Sequence, residues 1–198
     1  MSDLRKLFGP AKEAIWNKLV DEIGGKYEDG APWEGGKIIA KVEEWTVTLD
    51  VRKFTTQHDT ILHTRFRAPF VNKDGFRFTI YRKGMFGYFS KILGLEGQDV
   101  EIGYPEFDKL FIIQGNDPVK LKEFFINQKV RETMLNQPDI RMRVKDDGGW
   151  FSDVFPEGVD ELNLKVEGIV SDYSRLRDLF DLFSESLHQI CNIGSAYK

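Results

Sequence analysis

The stretch "WTVTLDVRKF", residues 45–54, alternates apolar and polar side chains along most of its length. Its apolar positions include Trp45, Val47, Leu49 and Val51. Alternation with a period of two, rich in β-branched residues, predicts a β-strand that buries one face and leaves the other face polar. The chain is therefore expected to fold around a sheet with one buried face.

Shorter runs of the same character predict further strands. The stretches "KIIAKV" (37–42) and "DIRMRVKDD" (139–147) are two of them. Two more, "ILHTRFRA" (61–68) and "FRFTIYR" (76–82), are joined by a segment that ends in Lys-Asp-Gly. Because Gly75 can take the positive φ that a tight turn needs, these two strands are predicted to form a β-hairpin.

Apolar residues at helical spacing mark both ends of the chain. A first helix is predicted from Pro10, which suits a first helical turn, to the Gly24-Gly25 pair. A long last helix ends before Gly194, and we expect it to pack on the sheet. Its apolar side consists of Leu176, Leu179, Phe180, Phe183, Leu187, Ile190 and Cys191.

The run "FIIQGNDPVKLKEFF", residues 111–125, predicts a junction between a strand and a helix. Asp117 suits the N-cap and Pro118 the first helical position. The run lacks the second glycine and the Lys-Ser or Lys-Thr of a phosphate-binding loop. A similar pattern, "DYSRLRDLF", occurs later, which indicates either a duplication of 107–136 and 162–192 or two separate amphipathic helices with Asp caps.

These patterns together predict one compact α+β domain over residues 1–198. Its parts are antiparallel β-sheet, an N-terminal helix, short middle helices and a long C-terminal helix packed on the sheet. One of the middle helices is expected near residues 85–93.

The composition excludes several classes of protein. Hydrophobic residues make up 41% of the chain, too many for a disordered protein, but no apolar run approaches the roughly 18 residues of a membrane span. A net charge of −4 argues against a dedicated DNA-binding domain. One cysteine, Cys191, and an N-terminus without a secretory signal predict a cytoplasmic protein.

The run "YPEFDKLFIIQGNDPVKLKEFF", with "KDDGGWF" and "SRLRDLFDLF" after it, resembles an uncharacterised bacterial family known as a domain of unknown function. The resemblance covers about residues 60–190. It implies a bacterial protein with modules that link a strand to a helix, and it implies no catalytic residues. Members of that family often carry membrane helices ahead of the module, and none is found in this sequence.

Patterns for catalysis and metal binding are missing. His58 and His63 lie five residues apart, which is not a zinc spacing, and Cys191 belongs to the apolar side of the last helix. The aspartates between residues 146 and 153 lack the spacing of a calcium loop. No serine lies in a G-x-S-x-G motif. We therefore expect no catalytic residue, no bound metal and no cofactor.

A basic surface is the first candidate site. If the apolar residues of the predicted hairpin face inward, a row of polar side chains lines the opposite face. The residues expected to bind an anionic partner, such as RNA phosphates or an anionic lipid surface, are Arg65, Arg67, Arg77, Tyr81 and Lys83. The alternative is that these cations are solvated or lie opposite acids such as Asp50.

An apolar segment, "GMFGYFSKILG", is the second candidate site. Its large side chains are Met85, Phe86, Tyr88, Phe89, Ile92 and Leu93. They form core, a flap, or a contact for a protein partner or membrane. The leading functional interpretation is a non-enzymatic binding or interaction module. The alternative is a small-molecule or lipid pocket with residues 84–95 as flap, with hydrolytic activity as one option.

Overall fold

A computed structural model describes residues 3–28, 36–55, 60–84, 99–146 and 155–197 of the chain. Within these ranges the chain forms five helices and eight strands. The helices are α1 (Asp3–Ile23), α2 (Pro105–Leu110), α3 (Pro118–Phe124), α4 (Gln128–Leu135) and α5 (Tyr173–Asn192). The strands are β1 (Lys26–Glu28), β2 (Lys37–Val42), β3 (Trp45–Thr55), β4 (Thr60–Val71), β5 (Phe78–Arg82), β6 (Phe111–Gly115), β7 (Ile140–Lys145) and β8 (Val159–Glu167).

All eight strands belong to one sheet, in the order β1-β2-β3-β4-β8-β7-β5-β6. Every neighbouring pair is antiparallel. The prediction of an α+β fold with an antiparallel sheet, an N-terminal helix, short middle helices and a long C-terminal helix is confirmed.

The predicted hairpin between residues 61–68 and 76–82 is wrong. β4 pairs with β3 and β8, whereas β5 pairs with β6 and β7, so two strands separate β4 from β5. Gly75 does have a positive φ of 70°, as a tight turn requires. The Asn72 side chain accepts the Gly75 amide at 3.0 Å and donates to Asp160 at 2.5 Å. The Asn72 side chain therefore holds this turn against β8, and β5 pairs with β6 and β7 instead of β4.

The core lies on one face of the sheet. Residues paired across the strands form a continuous apolar row, and each of them is at most 2% exposed. The row consists of Leu49, Phe66, Leu164, Met142, Ile80 and Ile113. Helix α5 packs on this row, with the Phe183 and Phe66 ring centroids 5.9 Å apart. Cys191 is buried in the same core, as predicted.

The helix starts follow the predicted chemistry. The Asp117 carboxylate accepts hydrogen bonds from the Val119 and Lys120 amides, and Pro118 is the first residue of α3. Asp172 caps α5 in the same way through the Arg175 amide. The first helix differs from the prediction, because α1 begins before Pro10.

Among the described residues, none of the helices is both long and apolar enough to span a membrane.

Candidate functional site

Two of the predicted anion-binding residues lie on the face of the sheet opposite the core. Arg65 donates from Nε to Asp50 Oδ1 at 2.8 Å and from Nη2 to Oδ2 at 2.6 Å. Arg67 donates from Nη2 to the same Oδ2 at 2.9 Å. Burial opposes ionisation of Asp50, but the two arginines outweigh it and keep its pKa below the ordinary value. Asp50 therefore already pairs with both arginines, through two hydrogen bonds from Arg65 and one from Arg67.

Of the other predicted residues, Tyr81 continues the row of Arg65, whereas Arg77 and Lys83 lie elsewhere. Arg77 lies at the end of the sheet, where it pairs with the buried carboxylate of Asp160 and with Asp146. Lys83 lies past the end of β5 and donates from Nζ to the Asp108 carbonyl oxygen at 2.8 Å. Tyr81 is buried and lies opposite Arg141 of β7. The five residues therefore do not form one continuous binding surface.

The register brings together a different set of residues, which we call the cationic grid. It has three rows of three on the face opposite the core, with one column each from β4, β8 and β7. The rows are Arg65, Lys165 and Arg141, then Arg67, Asn163 and Arg143, then Pro69, Glu161 and Lys145. Six of these nine positions hold cations, and one holds a carboxylate.

Sequence analysis missed four of the cations in the grid. They are Arg141, Arg143, Lys145 and Lys165. The signal was present, because "RMRVK" in β7 alternates cations with apolar residues and Lys165 is flanked by Leu164 and Val166. What the sequence did not contain was the strand order that places β8 between β4 and β7.

Two carboxylates pair with cations of the grid, Asp50 beside its β4 column and Glu161 within its third row. Asp50, next to the grid on β3, binds Arg65 and Arg67. Glu161 is 3% exposed and lies 3.6 Å from Lys145 Nζ and 3.7 Å from Arg67 Nη1. It also accepts from Asn163 Nδ2 at 2.9 Å. These contacts leave the Lys165–Arg141 side of the first row without a carboxylate from either acid.

Lys165 has arginines directly opposite on both neighbouring strands, Arg65 on one and Arg141 on the other. Within the described ranges, no carboxylate pairs with Lys165 or with Arg141, and Arg141 Nε is buried without a hydrogen-bond acceptor. Burial lowers the pKa of Lys165 to about 7, with help from the positive charges of Arg143, Arg65, Arg141 and Lys145. Burial likewise lowers the pKa of Arg141 to about 10, with help from Arg143.

His63 adjoins this row on β4 and is 8% exposed. Burial, followed by the charge of Lys165, lowers its pKa to about 4. A neutral imidazole at this position adds no further positive charge at neutral pH.

The second candidate site lies outside the described residues. The residues of that site are Met85, Phe86, Tyr88, Phe89, Ile92 and Leu93. The histidine His58 and the aspartates Asp147 and Asp153 also lie outside the described residues. The interpretations of the segment as core, flap or contact, and the pocket alternative that depends on it, stay predictions.

A serine and a lysine meet elsewhere in the fold. Lys120 Nζ donates to Ser195 Oγ at 2.9 Å, pairs with the Asp74 carboxylate and contacts the Ile193 carbonyl oxygen at 3.3 Å. Ser195 is fully buried. Lys120 is thus held by the Asp74 carboxylate, and Ser195 has no exposed surface. Through these contacts Lys120 connects helix α3 with the loop after β4 and with the C-terminal segment.

In the part of the chain that the structure describes, no cluster of three His, Cys, Asp or Glu side chains is arranged to hold a metal ion.

Comparisons of the chain with protein-family models, with curated proteins and with solved structures give no match. The resemblance to a bacterial domain of unknown function therefore stays a prediction.

Proposed function

We propose that this protein binds a small anionic ligand, carrying carboxylate or phosphate groups, at the cationic grid. The observation that supports this most directly is the pair Lys165 and Arg141, which face one another across β8 and β7 with no carboxylate partner among the described residues. Guanidinium and ammonium groups that converge in this way are the groups with which proteins bind carboxylates and phosphates. An anion between them would supply the missing counter-charge.

The dimensions of the grid favour a small ligand over RNA or a membrane surface. Neighbouring strands lie about 4.8 Å apart, so β4, β8 and β7 together span roughly 10 Å. The side chains of Arg65 and Lys145 are only 11% and 12% exposed. Binding to a polyanion relies on several cations that reach successive phosphates, and Arg77 and Lys83, which would extend the surface, make contacts elsewhere.

Calorimetric titration at low salt with inorganic phosphate and with citrate tests this proposal. We expect saturable binding at one site per chain. Arg141→Gln should weaken it about tenfold or more, because loss of a hydrogen bond to a charged group costs about 1.5 to 3 kcal/mol. The matched control is Lys37→Gln. Lys37 lies opposite Asp50 on β2, three strands from Lys165, and is 42% exposed.

Three outcomes would overturn the proposal. The first is that neither anion binds, and the second is that Arg141→Gln binds as tightly as the unchanged protein. The third is binding to single-stranded RNA or to vesicles rich in phosphatidylserine without any binding of phosphate or citrate. That result would favour an extended anionic partner.

A further inference from the structure

We propose that Lys165 is a nucleophilic amine that captures the ketone of a 2-oxo carboxylate as an imine, while Arg141 holds the carboxylate. This inference rests on the proposed anion site and adds a covalent step to it. It assigns different roles to two neighbouring cations of the grid.

The placement of the two groups suits a single small ligand. Lys165 and Arg141 are directly opposed on β8 and β7 and point to the same face. Directly opposed residues of antiparallel strands have Cβ atoms about 5 Å apart. In a 2-oxo acid the ketone carbon is bonded to the carboxylate carbon, so one small molecule can contact both side chains.

Two arginines flank Lys165, one on each neighbouring strand, as candidates to hold the carboxylate. Arg65, on the other side of Lys165, already makes two hydrogen bonds with Asp50. Arg141 has a buried Nε without an acceptor and no carboxylate partner in the described ranges. A planar guanidinium binds a carboxylate through two parallel hydrogen bonds. Arg141 is therefore the anchor.

The surroundings of Lys165 favour a reactive amine. A lysine becomes a nucleophile at neutral pH when burial or a neighbouring cation favours its neutral form. Lys165 has both, and its pKa is lowered from 10.5 to about 7. At pH 7 the neutral fraction is then about a thousandfold larger than that of an ordinary lysine. Lys145, on the same face, has the Glu161 carboxylate 3.6 Å away.

The reaction balances without an oxidant or a reductant. The lone pair of Lys165 Nζ forms a bond to the ketone carbon, and the carbonyl π electrons move to the oxygen, which receives a proton from the nitrogen. The carbinolamine then loses its hydroxyl group and the remaining N–H proton as water. The product is a C=N bond, with one water molecule released for each imine.

Reductive trapping tests the inference. The protein is incubated with pyruvate and sodium cyanoborohydride at pH 7, and the modified residue is located by peptide mass spectrometry. We expect one adduct, at Lys165, formed about tenfold or more faster than at an ordinary lysine because of its larger neutral fraction. Lactate, which has the carboxylate but no ketone, should compete. Arg141→Gln should raise the pyruvate concentration needed for half-maximal trapping.

Lys165→Arg separates the inference from the proposed function. This variant keeps the positive charge, so it should still bind lactate in a calorimetric titration but form no adduct at position 165. If the unchanged protein binds lactate and no adduct forms at Lys165, the inference is wrong and the anion site stands. Adducts spread evenly over the lysines, or trapping that lactate does not reduce, would also overturn it. If lactate, phosphate and citrate all fail to bind, both proposals are wrong.

Discussion

Arg77 and Asp160 form a two-point ion pair at the end of the sheet. Arg77 Nε lies 2.9 Å from Asp160 Oδ2, and Arg77 Nη2 lies 3.1 Å from Oδ1. Asp160 is 2% exposed, whereas the Arg77 side chain is 43% exposed. Hydrogen bonds and charge from Asp160 raise the pKa of Arg77, so the arginine stays charged. A residue predicted to bind a partner therefore neutralises a buried acid of the protein itself.

Arg77→Ala should lower the free energy of unfolding by about 3 kcal/mol, because it leaves the buried Asp160 carboxylate without its cation. A urea melt measures this. The matched control is Asp146→Asn, which removes the other partner of Arg77, an aspartate that is 58% exposed. The control should cost less than about 1 kcal/mol. Equal losses for the two variants would show that the burial of Asp160 does not matter.

The two helix caps provide a second prediction. Asp117→Ala and Asp172→Ala should each lower the free energy of unfolding by about 1 kcal/mol, since each removes the acceptor for amides of the first helical turn. Asp178→Ala is the control, because Asp178 is an exposed residue within α5 and not at its start. Thermal melts of the three variants should separate the caps from the control. A control as damaging as the caps would contradict the assignment.

The sequence predicted the elements of the fold better than it predicted the neighbours in the sheet. Alternation identified β3, and the Asp-Pro pair identified the start of α3, because both signals depend on local geometry. The pairing of β4 with β8 connects residues about a hundred positions apart. Nothing local specifies such a pairing, and the local signals therefore favour the shortest connection, a hairpin.

The candidate site shows the same difference between local features, which the sequence predicts, and contacts between distant strands, which it does not predict. Arg65 and Arg67 could be placed on the polar face of a strand from alternation alone. Lys165 gains its unusual surroundings from Arg65 and Arg141, which belong to two other strands. Its pKa depends on those neighbours and on burial, neither of which a sequence window contains.

His63 provides a prediction at acidic pH. Its pKa is about 4 in the folded protein and near 6.5 in the unfolded chain. Between these values the unfolded chain binds the extra proton, so the free energy of unfolding falls as the pH is lowered from 6.5 to 4. Besides burial, Lys165 and Arg141 lower this pKa, while Asp139 and a backbone hydrogen bond with Val166 raise it.

His63→Gln should therefore remove up to about 1.4 kcal/mol per pH unit of this loss. Urea melts between pH 4 and pH 6.5 measure the slope. His188→Gln, which alters a histidine with a 38% exposed side chain on α5, is the control for the loss of a histidine as such. If His63→Gln retains the slope of the unchanged protein, the burial of His63 does not affect its titration.

Lys165 should affect stability above pH 7, and this prediction does not depend on any ligand. Its pKa is about 7 in the folded protein, against 10.5 for an ordinary lysine. Between these values the unfolded chain holds more protons than the folded protein. The contribution of Lys165 to the free energy of unfolding therefore rises with pH from 7 to 10.5, by up to about 1.4 kcal/mol per unit.

Lys165→Met should remove this pH dependence and make the protein more stable than the unchanged chain at pH 7, because the cost of burying an unpaired amine among cations disappears. The difference between the two proteins should shrink toward pH 10, because Lys165 is then neutral in the fold and the unfolded chain, with a pKa of 10.5 at this position, has begun to lose its proton. Lys145→Met is the control, since the Glu161 carboxylate lies beside that lysine. It should lower the stability but keep most of the slope, because the charge of Lys145 is the smallest of the contributions that lower the pKa of Lys165. If Lys165→Met destabilises the protein equally at pH 7 and pH 10, then Lys165 has a counter-charge in the fold, and the unpaired cation on which the anion site depends does not exist.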